Sequence, residues 1–328
     1  MVGSYEGALA GKYRIRLQLS TRDSVLTGQY YYLRNGRLLR LEGHQVAKNG
    51  DVALRETAEA DTVVTGRFVG RLQPDRSLTG TWHNAAGSTQ LPFQLTRVTA
   101  AVAPAAAKAR LQQKTYLRTF EVPVCAVPDA GVTALLAHWF SLENLTGENL
   151  ASLREQVADQ HGTQTRYGIQ ELVYDVGCNT HGLLSVTAYS EGVGASIWHS
   201  YRTQTIDLNT GFPVYVADEI RPEALPQFLA LGERKLQKVV RDYLADQGNG
   251  SLEPHDKEGV LGQRFTLAST DEYTVEPTGL LFDHQEGYDG QSNLIFKLMQ
   301  GSLRVLFTYA ELGPLLKPDS PLQRLVRR

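Results

Sequence analysis

The side chains that could carry out catalysis or bind a metal ion are scattered along this sequence. Its eight histidines show no His-x-x-x-His spacing and its two cysteines form no Cys-x-x-Cys pair, which are spacings typical of metal sites. The run Gly-Ala-Ser-Ile-Trp at 194–198 lacks the second glycine of a nucleophile elbow. Residues 7–13 are one residue short of a phosphate-binding loop and end in tyrosine where serine or threonine would bind magnesium. The sequence therefore predicts no metal, no cofactor and no nucleophilic triad.

One histidine remains a candidate for acid–base chemistry. His199, with Asp207 or Asp218, supplies the residue types of a cell-wall-directed hydrolase. Such a reaction needs a cleft in which the pKa values of the two groups are pushed apart. Ser196, His199 and Asp207 are too widely spaced along a strand to form a triad. The hydrolase is therefore the alternative hypothesis rather than the leading one.

Tyrosine and arginine lie close together in the N-terminal part, where three tyrosines at 30–32 precede Arg34, Arg37 and Arg40. Arginine beside exposed tyrosine can hold a carbohydrate, a nucleic acid or an acidic protein surface. Strand alternation exposes only part of such a run, so structural aromatics inside a barrel are the favoured interpretation. We expect no nucleic-acid partner.

Composition limits the class of protein. The chain has 328 residues, of which 42% are hydrophobic and 21% charged, a length that suggests two domains with their own cores. This balance excludes a disordered chain, and no apolar run approaches the ~20 residues of a membrane-spanning helix. Basic residues exceed acidic ones before the middle of the chain, and the remainder is acidic. The two parts are expected to attract each other or to face different partners.

Residues 1–98 are predicted to form an all-β domain resembling a barrel or closed sandwich. Tyr13, Ile15, Leu17 and Leu19 alternate with polar residues, which indicates an antiparallel strand lying on a core. The pattern aliphatic-Thr-Gly-x-aromatic occurs three times, at 26–30, 64–68 and 78–82, as expected for a small, strongly curved meander. A small-ligand carrier is a further alternative. It requires an interior that is not filled by Tyr13, Tyr30, Phe68 and Trp82.

An Ala-rich linker is expected at residues 99–114, followed by an α+β domain at 115–328. Its antiparallel sheet would carry helices on one face. Helices are predicted at 129–140, 149–161 and 222–243. Strands are predicted at 116–125, 167–178, 183–189, 198–207, 265–267, 273–275, 280–283, 292–297 and 304–307.

Cys125 and Cys178 each lie at the predicted end of a strand in the same domain. A disulfide would form in an oxidising compartment if the Cα atoms come within roughly 4.4–6.8 Å. Two buried thiols acting as small hydrophobes are the slightly favoured alternative.

Residues 115–328 contain a strand, a glycine-rich turn, a second strand and an Asp-x-x-x-Gly turn before a helix. The matching segments are 183–187, 192–196, 205–211, 265–267, 275–282 and 309–312. This succession resembles the RsiV-like domain, the domain of unknown function 3298 (DUF3298). The resemblance implies an extracytoplasmic protein, since one member is an anti-sigma factor that binds lysozyme and another lies beside a peptidoglycan deacetylase. Ser196 stands where many members have histidine, so lysozyme binding does not carry over, and nothing matches the deacetylase.

Residues 5–98 resemble small β-domains of bacterial envelope proteins. Met1 is followed by neither a basic nor an apolar leader segment, which fits a cytoplasmic chain or one whose leader was removed. The leading hypothesis is a non-catalytic periplasmic or other extracytoplasmic binding protein of the cell envelope that recognises a protein or a cell-wall glycan. Its candidate surface is the glycine turn with its flanking strands. The predicted ligand-binding residues are Glu191, Ser196, Trp198, His199 and Tyr201.

Overall fold

The computed structural model describes residues 3–22, 25–34, 36, 38–46, 50–58, 63–98, 107–159, 167–194, 196–246, 254–270, 272–284 and 302–326. Within them the chain forms a closed barrel followed by an α+β arrangement, as the sequence predicts. Of the expected linker, residues 99–106 lie outside the described residues, and residues 110–114 belong to a strand.

Eight antiparallel strands make the barrel, each hydrogen-bonded to the next, and the first closes against the last. They are β1 (Gly3–Leu9), β2 (Tyr13–Arg22), β3 (Val25–Tyr32), β4 (Leu38–Val46), β5 (Asp51–Ala58), β6 (Val64–Leu72), β7 (Leu78–Asn84) and β8 (Gln90–Arg97). Glycines of the repeated motif allow the strong curvature. A Cβ on Gly80 would lie 2.2 Å from the Val69 carbonyl oxygen, so only glycine permits this approach.

Side chains fill the barrel interior. The ring centroid of Phe68 lies 5.3 Å from that of Tyr30 and 5.2 Å from that of Phe93, and all three residues are buried. The buried carboxylate of Glu56 accepts hydrogen bonds from the Tyr30 hydroxyl at 2.7 Å and the Trp82 indole N–H at 2.6 Å. Tyr13, in contrast, is 44% exposed and lies outside this core.

A six-stranded sheet follows, in the order β14-β13-β12-β11-β10-β9. Its strands are β9 (Arg110–Tyr116), β10 (Phe120–Ala126), β11 (Gly168–Thr180), β12 (Leu183–Val193), β13 (Ile197–Asp207) and β14 (Phe212–Pro213). The sheet is mixed, because β10 and β11 run parallel and the other neighbours antiparallel. The strand predicted at 116–125 is confirmed over 120–125, which lie in β10, but its start was wrong. Leu117 and Arg118 have positive φ, and the chain turns there between β9 and β10.

Three helices, α1 (Ala130–Trp139), α2 (Leu142–Thr146) and α3 (Leu150–Asp159), link β10 to β11. As predicted, Asp129 caps α1, since its side chain accepts a hydrogen bond from the Val132 N–H at 3.0 Å. Leu135 and Leu136 of α1 pack with Leu184 and Val186 of β12 in a core on one side of the sheet.

A second core lies at the other side, against one end of the sheet. It contains β15 (Tyr273–Glu276), β16 (Gly279–Asp283), β17 (Arg304–Thr308), α4 (Val216–Glu219), α5 (Leu225–Ala245), α6 (Pro254–Leu261), α7 (Tyr309–Leu312) and α8 (Gln323–Val326). The strand predicted at 265–267 was wrong. Phe265 instead packs on α5, where Gly232 leaves room for its ring. The strand predicted at 292–297 lies outside the described residues.

Tyr31 joins the barrel to the α+β part. It points outward from β3 and is fully buried, with its ring 5.5 Å from that of Phe212. Its hydroxyl donates to the Thr210 carbonyl oxygen and accepts from Arg16, both at 3.0 Å. Burial raises the pKa of Tyr31 to about 12, so the phenol keeps the proton that it donates. Tyr31 is therefore a docking residue, and the structure does not offer it as an exposed stacking surface.

Ion pairs complete this contact between the basic barrel and the acidic remainder. Arg16 lies 3.2 Å from an Asp129 carboxylate oxygen, and Arg97 lies 2.8 Å from Asp319. The opposite charges of the two parts thus attract each other, which is one of the two outcomes expected from the sequence.

Candidate functional site

The β12–β13 hairpin places the predicted site residues at its free end. Its register sets Glu191 opposite His199 and Tyr189 opposite Tyr201, next to the glycine turn. Because side chains alternate along a strand, these four residues and Ile197 share one face of the sheet. We call these five residues the hairpin face.

Contacts between strands order the rings of the hairpin face. The Tyr189 hydroxyl and His199 Nδ1 form a hydrogen bond, and the two rings stack with centroids 5.5 Å apart. Tyr201 lies 5.1 Å from Tyr189, and the Glu191 carboxylate lies 3.6 Å from His199 Nδ1. Desolvation, and then the charge of Glu191, raise the pKa of Tyr189, so its phenol stays protonated.

The hairpin face is open to solvent. Ile197 is 55% exposed and Tyr201 38%, and His199 is also exposed. Ser196 lies exposed in the turn beside it, where its carbonyl oxygen accepts the Gly194 N–H at 3.0 Å. Large apolar and aromatic groups without cover at the end of a hairpin form a contact surface rather than a core.

Trp198 lies on the opposite face of the hairpin. Its half-buried indole packs over Gly192 at the margin of the core that also contains α1. A Cβ on Gly192 would lie 2.1 Å from the Trp198 ring, so the glycine makes room for the indole. Trp198 therefore supports the hairpin from behind, while Glu191, His199 and Tyr201 meet on the hairpin face.

A groove of about 340 Å³ continues the hairpin face towards the three-stranded sheet of β15, β16 and β17. Tyr201 and Thr203 form one wall, and Glu272, Asp283 and Arg304 lie on the other. An extended partner that contacts the hairpin face would therefore meet both acidic and basic groups further along.

The structure does not bring His199 together with either acidic residue of the hydrolase hypothesis. Asp207 is eight residues further along β13, a distance of roughly 26 Å in a strand. Its buried carboxylate forms two hydrogen bonds with Arg324, at 2.8 and 3.1 Å. Asp218 accepts a hydrogen bond from Ser20 at the barrel contact, on another part of the molecule.

The carboxyls near Asp218 line a small cavity between the barrel and α4. Burial raises the pKa of Glu219 to about 7, and the charges of Asp218 and Asp207 add to this effect, whereas Ser320 and Lys317 oppose it. A group that titrates near neutrality is a candidate acid or base. However, the cavity measures only about 60 Å³, which is room for a few waters and too little for a glycan.

The described residues offer little geometry for a metal site, a disulfide or a ligand-filled barrel. The described residues contain no group of three or more His, Cys, Asp and Glu side chains placed to hold a metal ion. Cys125 and Cys178 lie buried in different cores and are not bonded to each other. The carrier hypothesis lacks an interior space, since Tyr30, Phe68 and Phe93 occupy the middle of the barrel. Within the described chain, every helix is too short or too polar to cross a bilayer.

Tyr189 and Ile197 belong to the hairpin face but were missed by the sequence analysis. The signal for both was present, because a turn centred at residues 194–196 pairs Tyr189 with Tyr201 and places Ile197 two residues before His199. Extending both predicted strands to that turn would have found them.

No protein-family model matches this chain, and no curated protein is significantly similar to it. Two solved structures of DUF3298 family proteins resemble it. The one from Pseudomonas aeruginosa PAO1 has 14% sequence identity and a TM-score of 0.43, over 64% of this chain and 93% of its own. The one from Bacteroides fragilis NCTC 9343 has 12% identity and a TM-score of 0.40, over 67% of this chain and 96% of its own.

Proposed function

We propose that this protein is a non-catalytic binding protein of the cell envelope, and that the hairpin face recognises a partner protein. The single observation that supports this proposal is the hairpin face, where Ile197, His199 and Tyr201 are exposed beside half-buried Tyr189 and Glu191. Exposed tyrosine and isoleucine beside polar groups form the mixed surface that protein interfaces use. The envelope location follows from the motif resemblance in residues 115–328.

Ring geometry favours a protein over a cell-wall glycan. A sugar ring stacks on an aromatic face that is open, but the facing sides of Tyr189 and His199 are taken up by their own stack, with planes only 23° apart. Beside this stack, the Tyr201 side chain and the aliphatic Ile197 are exposed. These groups suit apolar and hydrogen-bonding contact with another protein.

A pull-down from envelope extract tests the proposal. Wild-type protein and Tyr201→Ala are used as baits, captured proteins are identified by mass spectrometry, and each is purified and rebound. We expect Tyr201→Ala to weaken binding of the true partner by about tenfold or more, the loss typical of an aromatic anchor. Equal binding by wild type and Tyr201→Ala would exclude the hairpin face as the recognition surface.

Tyr13→Ala is the matched control, because Tyr13 is 44% exposed on the barrel, far in sequence from the hairpin. It should retain full binding. Sedimentation with purified cell-wall sacculi distinguishes the glycan hypothesis. Co-sedimentation that Tyr201→Ala abolishes and Tyr13→Ala preserves would assign the surface to a glycan instead.

A further inference from the structure

The outer edge of β13 is paired along only a small part of its length. β14 pairs with Ile206 and Asp207, and the Val214 N–H adds one hydrogen bond of 2.8 Å to the Thr205 carbonyl oxygen. The chain then turns into α4 after Tyr215. From Ile197 to Gln204, no strand of the described chain pairs with this edge. An edge of this kind is a template for another extended chain.

A cavity of about 500 Å³ lies against that edge. Four consecutive residues of β13 line it: Arg202, Thr203, Gln204 and Thr205. Consecutive residues point to opposite faces of a sheet, so a space lined by all four must lie at the side of the strand. Barrel residues Gln18, Thr27 and Gln29 form the opposite wall. We call this space between β13 and the barrel the edge slot.

Backbone groups of β13 point into the edge slot. The Thr205 carbonyl oxygen bonds outward to Val214, so the odd-numbered residues of β13 direct their N–H and C=O groups to the outer edge. The Thr203 N–H accordingly faces the Glu272 carboxylate, but at 3.4 Å, longer than an ordinary hydrogen bond. Thr203 and Tyr201 therefore offer main-chain groups at the spacing of a strand partner.

Side chains around the edge slot also select a ligand. The buried Oε1 of Gln204 accepts no hydrogen bond from the described residues, so a donor is missing at this position. A second cavity of about 630 Å³ adjoins the slot through Gln29, Arg202 and Gln204. Its lining adds Arg40 and Arg55, both exposed, against the single carboxylate of Glu42. Counting Arg202 and Glu272 of the slot itself, three arginines face two carboxylates, so the positive excess lies in the adjoining cavity and there complements a carboxylate.

We propose that the edge slot binds an extended, carboxylate-bearing peptide segment as an added strand on β13. Main-chain hydrogen bonds to Tyr201 and Thr203 hold the peptide, as in other cases of strand addition. Alternate side chains of the peptide then point towards Arg202 and Gln204, where carboxylates meet the arginines of the adjoining cavity. This site is separate from the hairpin face, which uses side chains of the sheet surface.

The first test measures peptide binding to the wild-type protein by fluorescence anisotropy. The probe is a labelled, end-capped eight-residue peptide of alternating Glu and Thr, and the charge control alternates Lys and Thr. We expect the Glu peptide to bind at least about tenfold more tightly, because arginines outnumber carboxylates over the slot and the cavity beside it. Failure of the Glu peptide to bind at about 1 mM, or equal binding of both peptides, would overturn the proposal.

Backbone pairing is tested with two further versions of the Glu–Thr peptide. One is N-methylated at every Glu and the other at every Thr. An added strand presents alternate N–H groups to β13, so one version should lose binding by about tenfold or more while the other retains it. If both versions bind like the parent peptide, or if both lose binding, pairing to a single strand edge is excluded.

The location is tested with Thr27→Trp, which fills the edge slot from the barrel wall. Thr96→Trp, on the exposed outer face of β8, is the matched control. Thr27→Trp should weaken binding by about tenfold, and Thr96→Trp should leave it unchanged. A tetramer of N-acetylglucosamine is tested in parallel. Binding of that sugar, but not of the peptide, with loss in Thr27→Trp would assign the slot to a glycan and reject the peptide.

Discussion

Among single residues, Glu219 couples the stability of this protein to pH. Its carboxyl faces the cavity at the barrel contact, and burial raises its pKa from 4.5 to about 7. Between these two values the unfolded chain loses the proton while the folded chain keeps it, so the unfolding free energy falls as pH rises. Above pH 7 both states are ionised and the full destabilisation, at most about 3 kcal/mol, remains.

Glu219→Gln should remove this dependence, because the amide is neutral at every pH. We expect the variant to be more stable than wild type at pH 8, by up to about 3 kcal/mol, and to match it at pH 4. Urea unfolding at several pH values measures the difference. Glu223→Gln, at a nearby exposed position, is the control and should follow wild type throughout. A constant gap between Glu219→Gln and wild type across pH would contradict the assignment.

At the scale of elements, the two faces of the β12–β13 hairpin differ: one packs against the core and the other faces solvent. Trp198 packs against Gly192 and the core behind the sheet, whereas Tyr201 lies in the open. Trp198→Ala should lower the unfolding free energy by about 2–3 kcal/mol, since it leaves a gap over Gly192. Tyr201→Ala should change it by less than about 0.5 kcal/mol, as at other exposed positions. Chemical unfolding of both variants checks the register, and equal losses would show that the faces are assigned wrongly.

Short sequence motifs correctly predicted the strands and turns that depend only on residues close together in the chain. The three aliphatic-Thr-Gly-x-aromatic segments fall in β3, β6 and β7 of the barrel, and the turn at His181 and Gly182 connects β11 to β12. At 116–119 the same logic failed, because Leu117 and Arg118 adopt positive φ without a glycine to signal the turn.

Contacts between distant segments could not be predicted in this way. The buried state of Tyr31 depends on Phe212 and Thr210, which follow it by about 180 residues and reach it only once both parts have folded. The edge slot has the same origin, since β13 forms one wall and the barrel the other. The register of the β12–β13 hairpin places Glu191 opposite His199. Because the turn between the two strands sets this register, that part of the candidate site could be predicted from sequence alone.

On the scale of the whole molecule, the barrel and the α+β part interlock at close range. Gly36, between β3 and β4, has a φ of 62° and lies against α1. A Cβ at this position would lie 2.4 Å from the Ala134 Cβ, so only glycine permits this contact. Gly131 of α1 similarly lies against Leu33 and Tyr31 of the barrel. Small residues on both surfaces thus let the helix approach the barrel, and the ion pair of Arg16 with Asp129 lies beside them.

Gly36→Ala therefore tests the docking of the two parts, and Gly11→Ala is its matched control. Gly11 has a φ of 66° and nothing within 4 Å of its would-be Cβ, so both substitutions carry the same backbone strain, about 1–2 kcal/mol. Only Gly36→Ala adds the clash with Ala134, which should cost about 1–3 kcal/mol more. Urea unfolding measures that difference, and hydrogen exchange at the α1 amides should accelerate in Gly36→Ala alone. Equal stability and exchange in the two variants would mean that α1 does not hold the barrel in place.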